Sequence, residues 1–158
     1  MGREIRKVPA DWDHPKDENG DYKPLFDRSF LQEAREWLDR AVAWDNGTDP
    51  DCAEHKSTHP FFWQWGGDPP DPKYYRPDWP EESRTHFQIY ETVSEGTPVT
   101  PHFATKAELV DYLAERGTFW DDGKGWDRSV AERFVELEYA PSMIIKEGQI
   151  YRPRDGGL

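Results

Sequence analysis

The sequence predicts an α+β fold: a small antiparallel sheet centred on residues 86–93, about three helices, and long ordered loops rich in aromatic residues. Residues 86–93 carry the β-branched and aromatic side chains that are typical of a strand. Three other segments combine capping residues with apolar residues at helical spacing. Eight Trp, eight Phe and seven Tyr can fill a core, although only 35% of the residues are hydrophobic.

The length of 158 residues is typical of one domain. We therefore expect residues 1–158 to form a single domain. Residues 1–28 would contribute a strand, over residues 3–8, and a loop that packs on the body. Residues 152–158 would form a tail.

The first predicted helix begins after Ser29, whose hydroxyl group can cap it with Gln32 as the capping-box partner. Asn46 and Gly47 are typical of its C-terminal end. The apolar residues inside it recur at helical spacing and predict its buried stripe. They are Leu31, Ala34, Leu38, Ala41 and Val42, and Trp37 and Trp44 widen the stripe.

Residues 48–80 are rich in Pro, Gly and Asp and predict a long irregular loop. Its aromatic residues allow two interpretations. They could form an exposed platform that binds a partner, or they could close a small satellite core, which we favour. The candidate binding residues here are Trp63, Trp65, Tyr74, Tyr75 and Trp79.

Cys52, His55 and His59 follow a C-x2-H-x3-H spacing, and Cys and His are common zinc ligands. The second half of a paired zinc motif is missing from the sequence. These residues are therefore only a weak metal candidate. Otherwise Cys52 is a small apolar residue and the histidines are loop residues, so we predict no metal and no cofactor.

The strand over residues 86–93 should have one apolar and one polar face, because successive side chains point to opposite faces. Its odd-numbered residues are apolar except for Glu91. A carboxylate on that face would lose its contact with water. Glu91 is thus either a general acid or base, or a structural carboxylate that accepts hydrogen bonds from the following turn, which we favour.

Residues 94–97 predict a turn, since Gly96 can adopt positive φ and Pro98 keeps the preceding residue out of the helical region. Pro98 and Pro101 limit residues 98–103 to an edge strand at best. We expect this rigid loop to expose its polar groups as a ligand-binding lip, or to be simply a stable hairpin. The polar groups are those of Ser94, Glu95, Thr97 and Thr100.

A second helix should begin after Thr105, with Glu108 completing a capping box, and end at Gly117. A third should begin after Asp127 or Ser129 and continue until Pro141 stops it. Residues 143–145 and 149–151 predict a final β-hairpin.

The net charge of −12 makes direct binding to nucleic acid or to an anionic membrane unfavourable. The same charge favours a partner protein with a basic surface. The single cysteine excludes an internal disulfide, no apolar run could span a membrane, and no signal-peptide pattern opens the chain. We expect a cytoplasmic protein.

The stretch ETVSEGTPVTPHF at residues 91–103, followed by ATKAELVDYL, resembles a recurring pattern in uncharacterised proteins of bacteriophages and prophages. The pattern is E-T-x-S-E-G-x-P-x-[ST]-P-x-F followed by a helix. RKVPADWDHP at residues 6–15 and FVELEYAPSM at residues 134–143 fit it too. Some relatives carry C-x-x-C pairs that this chain lacks. The resemblance implies a phage or prophage origin and brings no activity.

Two classes of function follow. The first is a non-enzymatic phage accessory protein that binds and inhibits a host or defence protein, for example as an anti-CRISPR-like inhibitor or a mimic of nucleic acid. The second is a small-molecule or nucleotide-binding protein or enzyme, with a pocket at the loop formed by residues 94–97. Catalytic and phosphate-binding motifs are absent from the sequence, which favours the first class.

Overall fold

The computed structural model of the protein describes residues 2–92, 96–140, 144–146 and 149–151. The chain divides into two compact units. Unit 1 consists of Met1–Leu25 and Trp79–Leu158, and unit 2 consists of Phe26–Asp78. Unit 2 is therefore inserted between two segments of unit 1. The assignment of residues 1–158 to one domain stays a prediction.

The secondary structure confirms the α+β class. The strands of unit 1 are β1 (Arg3–Val8), β2 (His86–Glu91), β3 (Thr97–Pro98), β4 (Tyr139–Ala140), β5 (Ile144–Lys146) and β6 (Gln149–Tyr151). The helices of unit 2 are α1 (Phe30–Asn46), α2 (Cys52–His55) and α3 (Phe62–Gly66), and those of unit 1 are α4 (Lys106–Arg116) and α5 (Arg128–Leu137). Single 3-10 turns lie at Pro72–Tyr74 and Glu81–Ser83.

The main sheet has the strand order β3-β2-β1-β4, and all its pairs are antiparallel. Strand β2 lies inside the sheet, as the sequence predicts. It pairs with β1 along its whole length, from Val8 opposite His86 to Arg3 opposite Glu91. Beyond β3, Phe103 exchanges two backbone hydrogen bonds with Phe87, at 2.8 and 2.9 Å. The return segment is thus a broken edge strand.

Helices α4 and α5 pack on one face of this sheet. The Thr105 hydroxyl accepts a hydrogen bond from the Glu108 backbone N–H, and the Glu108 carboxylate accepts one from the Thr105 N–H, which confirms the capping box. Asp127 caps α5 through the N–H groups of Ser129 and Val130. The apolar core between the helices and the sheet comprises Ile89, Val99, Leu109, Val110, Leu113, Trp126, Val130, Ala131, Phe134 and Val135.

The opposite face of β2 is also buried, which the alternating pattern did not indicate. Gln88 is 6% exposed and Tyr90 is 2% exposed. Residues 12–25 cover this face, and they bring Trp12 and His14 against the Tyr90 ring and hydroxyl. The polar side chains of the face bond to one another, so a sequence pattern that resembles a solvated face is compatible with burial.

Helix α5 ends at Leu137, four residues before the proline that we expected to stop it. Glu138 adopts a left-handed conformation with φ of 60°, and the chain then joins the sheet as β4. Leu137 is exposed as a result. The final hairpin is confirmed as β5 paired with β6. Its first strand, β5, begins at Ile144, one residue later than expected. Met143 lies outside the described residues, as does the tail expected over residues 152–158.

Helix α1 has the expected cap residues, but among the described residues the predicted capping box is not formed, since the Gln32 side chain donates to Glu36. The Ser29 hydroxyl accepts a hydrogen bond from the Gln32 N–H at 3.2 Å, and Gly47 ends the helix. The predicted buried stripe is wrong for Leu31, Leu38 and Val42, which are 63%, 57% and 53% exposed, whereas its extension to Trp44 is confirmed. The helix instead turns its tryptophan face inward, and Trp44 is completely buried. A tryptophan ring buries more apolar area than a leucine side chain, so the aromatic face determines the orientation.

The segment that we expected to be irregular contains two short helices, α2 and α3. Phe62 in α3 is 5% exposed and contacts the Trp37 and Trp44 rings of α1. The Trp44 indole N–H donates a hydrogen bond to the His59 carbonyl at 2.9 Å. These contacts form a small aromatic core of unit 2. Packing of the aromatic residues thus orders a segment whose Pro and Gly residues prevent a long helix or strand.

Candidate functional site

Two large aromatic rings at the N-terminal end of α3 face the solvent. Phe61 is 57% exposed and Trp63 is 53% exposed, and their rings lie nearly parallel with centroids 6.5 Å apart. The intervening Phe62 anchors the helix in the aromatic core. The Gln64 side chain accepts a hydrogen bond from the Phe61 N–H at 3.0 Å and fixes the first turn. We call Phe61 and Trp63 the aromatic surface of unit 2.

The other predicted aromatic residues divide between exposed and packed positions. Trp65 is 38% exposed and stacks on His55, with centroids 3.7 Å apart. Tyr74 is 41% exposed, and its ring lies beside the Lys73 ammonium. Tyr75 is half-buried against other aromatic rings. Trp79 belongs to unit 1, where it contacts Trp12. The loop thus contains exposed rings as well as rings packed in a small core, and a binding role for the exposed ones stays a prediction.

Unit 2 is acidic. It contains eleven Asp and Glu residues against six Lys and Arg residues, a net charge of −5. Arg40 binds Asp49 through two hydrogen bonds of 3.0 and 3.1 Å and Asp51 through one of 2.9 Å. The Arg40 guanidinium holds the pKa of Asp49 below its usual range. The acidic residues that remain exposed are Glu36, Asp39, Asp45, Glu54, Asp68, Asp71 and Asp78.

A groove of about 300 Å³ lies on the inward-turned face of α1 in unit 2. Helix α1 contributes Glu33, Glu36, Trp37 and Arg40; Glu33 and Arg40 each lie three or four residues from the neighbouring Glu36 and Trp37, so the four share one face. The other lining residues follow along the chain and are Phe62, Gly66, Asp68, Pro70 and Tyr75. Sequence reasoning missed this groove, although the spacing of the polar residues around Trp37 could have indicated it.

The Glu91 carboxylate is 6% exposed, and its Oε1 has no hydrogen-bond partner among the residues that the structure describes. Arg3 occupies the position directly opposite in β1. Ser94 and Glu95 lie outside the described residues, so the two roles proposed for Glu91 stay predictions. Thr97 is half-buried and pairs with Glu91 in the sheet.

Thr100 is completely buried, contrary to the expectation that the loop exposes it. Its hydroxyl accepts a hydrogen bond from the Ile89 N–H at 3.1 Å and donates one to the Pro101 carbonyl at 2.9 Å. The hydroxyl thus takes the place of the backbone carbonyl that would accept from the Ile89 N–H in a regular ladder. Gly96 is buried too, and its carbonyl accepts a hydrogen bond from the Leu25 N–H at 2.9 Å. These groups hold the sheet together and do not form an exposed lip.

The three residues of the metal candidate make separate contacts. Cys52 Sγ donates to the Trp44 carbonyl at 3.7 Å, and His55 stacks on Trp65. His59 Nδ1 contacts the Thr58 hydroxyl at 2.9 Å. In the described part of the chain, no group of three or more His, Cys, Asp or Glu side chains is placed to hold a metal ion. The spacing therefore does not assemble a site here.

Two buried polar clusters of unit 1 escaped sequence reasoning. The first surrounds the Tyr90 hydroxyl, which lies 3.1 Å from each of Trp12 Nε1, His14 Nδ1 and Gln88 Oε1. His14 Nε2 lies 2.5 Å from the Lys23 carbonyl, which can only accept, so this nitrogen carries a proton. Burial lowers the pKa of His14. The cluster fastens the covering segment to β2.

The second cluster surrounds Asp121, which is 8% exposed. Its Oδ2 accepts hydrogen bonds from the Thr118 N–H and hydroxyl, both at 2.8 Å, and from the Trp126 indole N–H at 2.9 Å. Burial by itself would raise the pKa of Asp121, but these hydrogen bonds hold it below its usual range. Gly125 lets the same loop touch α4, because a Cβ there would overlap the Ala114 carbonyl. The cluster closes the connection between α4 and α5.

Comparison with known proteins adds no family. No family model matches the chain, and searches of the curated proteins and of the solved structures found no match. In the part of the chain that the structure describes, no helix has the length and apolar character needed to cross a membrane.

Proposed function

We propose that the chain is a phage-encoded, non-enzymatic accessory protein that binds and inhibits a host or defence protein with a basic surface. The aromatic surface of unit 2, formed by Phe61 and Trp63, carries the proposal. Both residues are more than half exposed, so they present apolar area that a partner can cover. Phe and Trp are enriched in the cores of protein interfaces, and Trp is among the residues that contribute most to binding.

The way in which the rings are held supports a binding role. The helix α3 that carries them is anchored through Phe62, and its N-terminal turn is fixed by Gln64. Aromatic side chains on a rigid element lose little conformational entropy when a partner binds. The surface is therefore organised before the complex forms.

Charge indicates the kind of partner. Unit 2 has a net charge of −5 and the whole chain one of −12, so approach to a basic protein is favoured over long range. Proteins that bind nucleic acid commonly have basic surfaces. The exposed carboxylates of unit 2 would imitate the phosphate groups of the nucleic acid. Direct binding of the chain to nucleic acid is disfavoured by the same charge.

One further observation supports a binding role rather than catalysis, and another supports a phage origin. The buried polar groups Thr100, His14 and Asp121 are engaged in hydrogen bonds that join segments of unit 1. The resemblance of residues 91–103 to a pattern of phage and prophage proteins supports the origin. A host partner would place the protein in the bacterial cytoplasm.

A pull-down from bacterial lysate tests the proposal, with the tagged chain as bait and mass spectrometry as the readout. The test variant is Phe61→Ala with Trp63→Ala. Phe119→Ala with Trp120→Ala is a matched control, because it removes one Phe and one Trp that are 44% and 64% exposed in unit 1. Both baits should keep the wild-type circular dichroism spectrum.

We expect the wild-type chain to retain a basic protein at low salt, and less of it as the salt concentration rises. The test variant should lose most of this protein, and the control should keep it. Retention of the same protein by the test variant, or a partner whose binding is insensitive to salt, would refute the proposal.

A further inference from the structure

The groove of unit 2 combines acidic side chains with aromatic walls, and it is open to solvent. Its lining residues include the acidic residues Glu33, Glu36 and Asp68 and the aromatic residues Trp37 and Tyr75. We propose that this groove binds an arginine side chain of the partner protein, with the guanidinium group paired to the carboxylates and stacked on an aromatic ring. The inference rests on the proposed function and names the chemistry of one contact.

The charges around the groove are unbalanced in favour of a cation. The lining cation, Arg40, is already neutralised by Asp49 and Asp51, and Glu33 is paired with Arg28 at 3.1 Å. Glu36 and Asp68 form no ion pair with any described residue. Among the residues that the structure describes, Glu36 accepts one hydrogen bond, from the Gln32 amide at 3.0 Å. Two carboxylates of the groove are therefore available to an incoming cation.

The walls suit a planar cation. A guanidinium group stacks on aromatic faces and offers paired N–H donors to a carboxylate, whereas an ammonium group is compact and more strongly hydrated. Arg40 shows this packing within the groove, since its guanidinium carbon lies 5.1 Å from the centre of the Phe62 ring. Burial and the nearby Glu33 carboxylate raise the pKa of Tyr75, so that its ring stays neutral.

The groove is held in shape by the chain around it. The Trp37 indole N–H donates a hydrogen bond to the Gly67 carbonyl at 3.0 Å, which ties α1 to the turn that precedes Asp68. At Gly66 only a residue without a side chain fits, because a Cβ would overlap the Phe62 ring. Pro70 stiffens the segment that follows. A groove that is formed in advance requires little ordering when a side chain enters it.

Titration of the intact protein with capped tripeptides tests the inference without the partner. The probes are acetyl-Gly-Arg-Gly-amide, the same peptide with lysine, and the same peptide with citrulline, which is nearly isosteric with arginine but uncharged. The readout is the NMR shift of the Trp37 indole N–H, which lies in the groove. The test variant is Glu36→Gln with Asp68→Asn, and Asp45→Asn with Glu54→Gln removes the same two charges outside the groove.

We expect the arginine peptide to shift the Trp37 signal in a saturable way, the lysine peptide to bind more weakly, and the citrulline peptide to bind least. The test variant should bind the arginine peptide about tenfold more weakly, since two exposed ion pairs are lost. The control variant should bind like the wild type.

Absence of a Trp37 shift, equal binding of the citrulline or lysine peptide, or equal losses in the two variants would overturn the inference. A pull-down that still depends on the aromatic surface would then leave the proposed function standing. Saturable peptide binding without any retained basic protein would have the opposite meaning, namely that the groove binds guanidinium groups and the proposed function is wrong.

Discussion

Replacing Asp121 with alanine is expected to destabilise unit 1 by about 3–5 kcal/mol. The carboxylate accepts three hydrogen bonds of 2.8 to 2.9 Å, from the Thr118 N–H, the Thr118 hydroxyl and the Trp126 indole N–H. Removing it leaves two buried N–H donors without an acceptor, while the hydroxyl can rotate. Hydrogen bonds to a charged group contribute roughly 1.5–3 kcal/mol each, and a buried unsatisfied donor costs about 1–3 kcal/mol.

The variant Asp121→Asn separates the hydrogen bonds from the charge. Its amide oxygen can occupy the position of Oδ2 and accept the same bonds, so the expected loss is only about 1–2 kcal/mol. The pKa of Asp121 is lowered in the folded protein, so the charged form stabilises the fold above the unfolded pKa of about 3.9. This contribution is lost as the pH falls through the folded value, and the difference between wild type and Asp121→Asn should shrink there.

Urea denaturation followed by near-ultraviolet circular dichroism measures these free energies of unfolding. Glu132→Ala is a control that removes an exposed carboxylate from α5, and it should change the free energy by less than about 0.5 kcal/mol. If Asp121→Ala cost no more than Glu132→Ala, the three hydrogen bonds would not stabilise the loop and the reasoning would be refuted.

Two further predictions concern the buried face of β2. Thr100→Val removes the acceptor of the Ile89 N–H and should destabilise the protein by about 1–3 kcal/mol. Hydrogen exchange at the Ile89 amide should become faster, and an unchanged exchange rate would contradict the prediction. Burial lowers the pKa of His14, so the folded protein takes up this proton at a lower pH than the unfolded chain does. Stability from the neutral imidazole should be complete above about pH 6.5 and fall below it, by up to about 1.4 kcal/mol per pH unit. In urea titrations between pH 5 and 8, His14→Gln should lack this slope, and a variant with the wild-type slope would show that His14 does not cause it.

The features that the sequence predicted correctly are determined locally. Ser29, Thr105 and Asp127 cap helices because a side-chain oxygen lies within reach of the next backbone N–H groups. The strand expected over residues 86–93, of which residues 86–91 form β2, follows from its own β-branched and aromatic composition. Neither feature depends on distant parts of the chain, so a single sequence was sufficient.

The features that the sequence did not predict depend on contacts between distant residues. Helix α1 carries a leucine face and a tryptophan face, and its periodicity cannot tell which face finds a partner. The sequence pattern indicates that Gln88 faces solvent, but in the structure residues 12–25 cover it. Thr100 reads as an exposed loop hydroxyl, although the Ile89 N–H, eleven residues earlier, needs it as an acceptor. The groove of unit 2 likewise requires α1, α3 and the Gly66–Asp68 turn to come together.

The insertion of unit 2 between the two segments of unit 1 has a consequence for folding during translation. Strand β1 leaves the ribosome first, but its partner β2 is made about eighty residues later and β4 later still. Unit 2 is continuous in the chain, so its aromatic core can close while β1 still waits for its neighbours. The nascent chain thus has an exposed strand edge until β2 has emerged from the ribosome, by which point the whole of unit 2 has emerged and can already be folded.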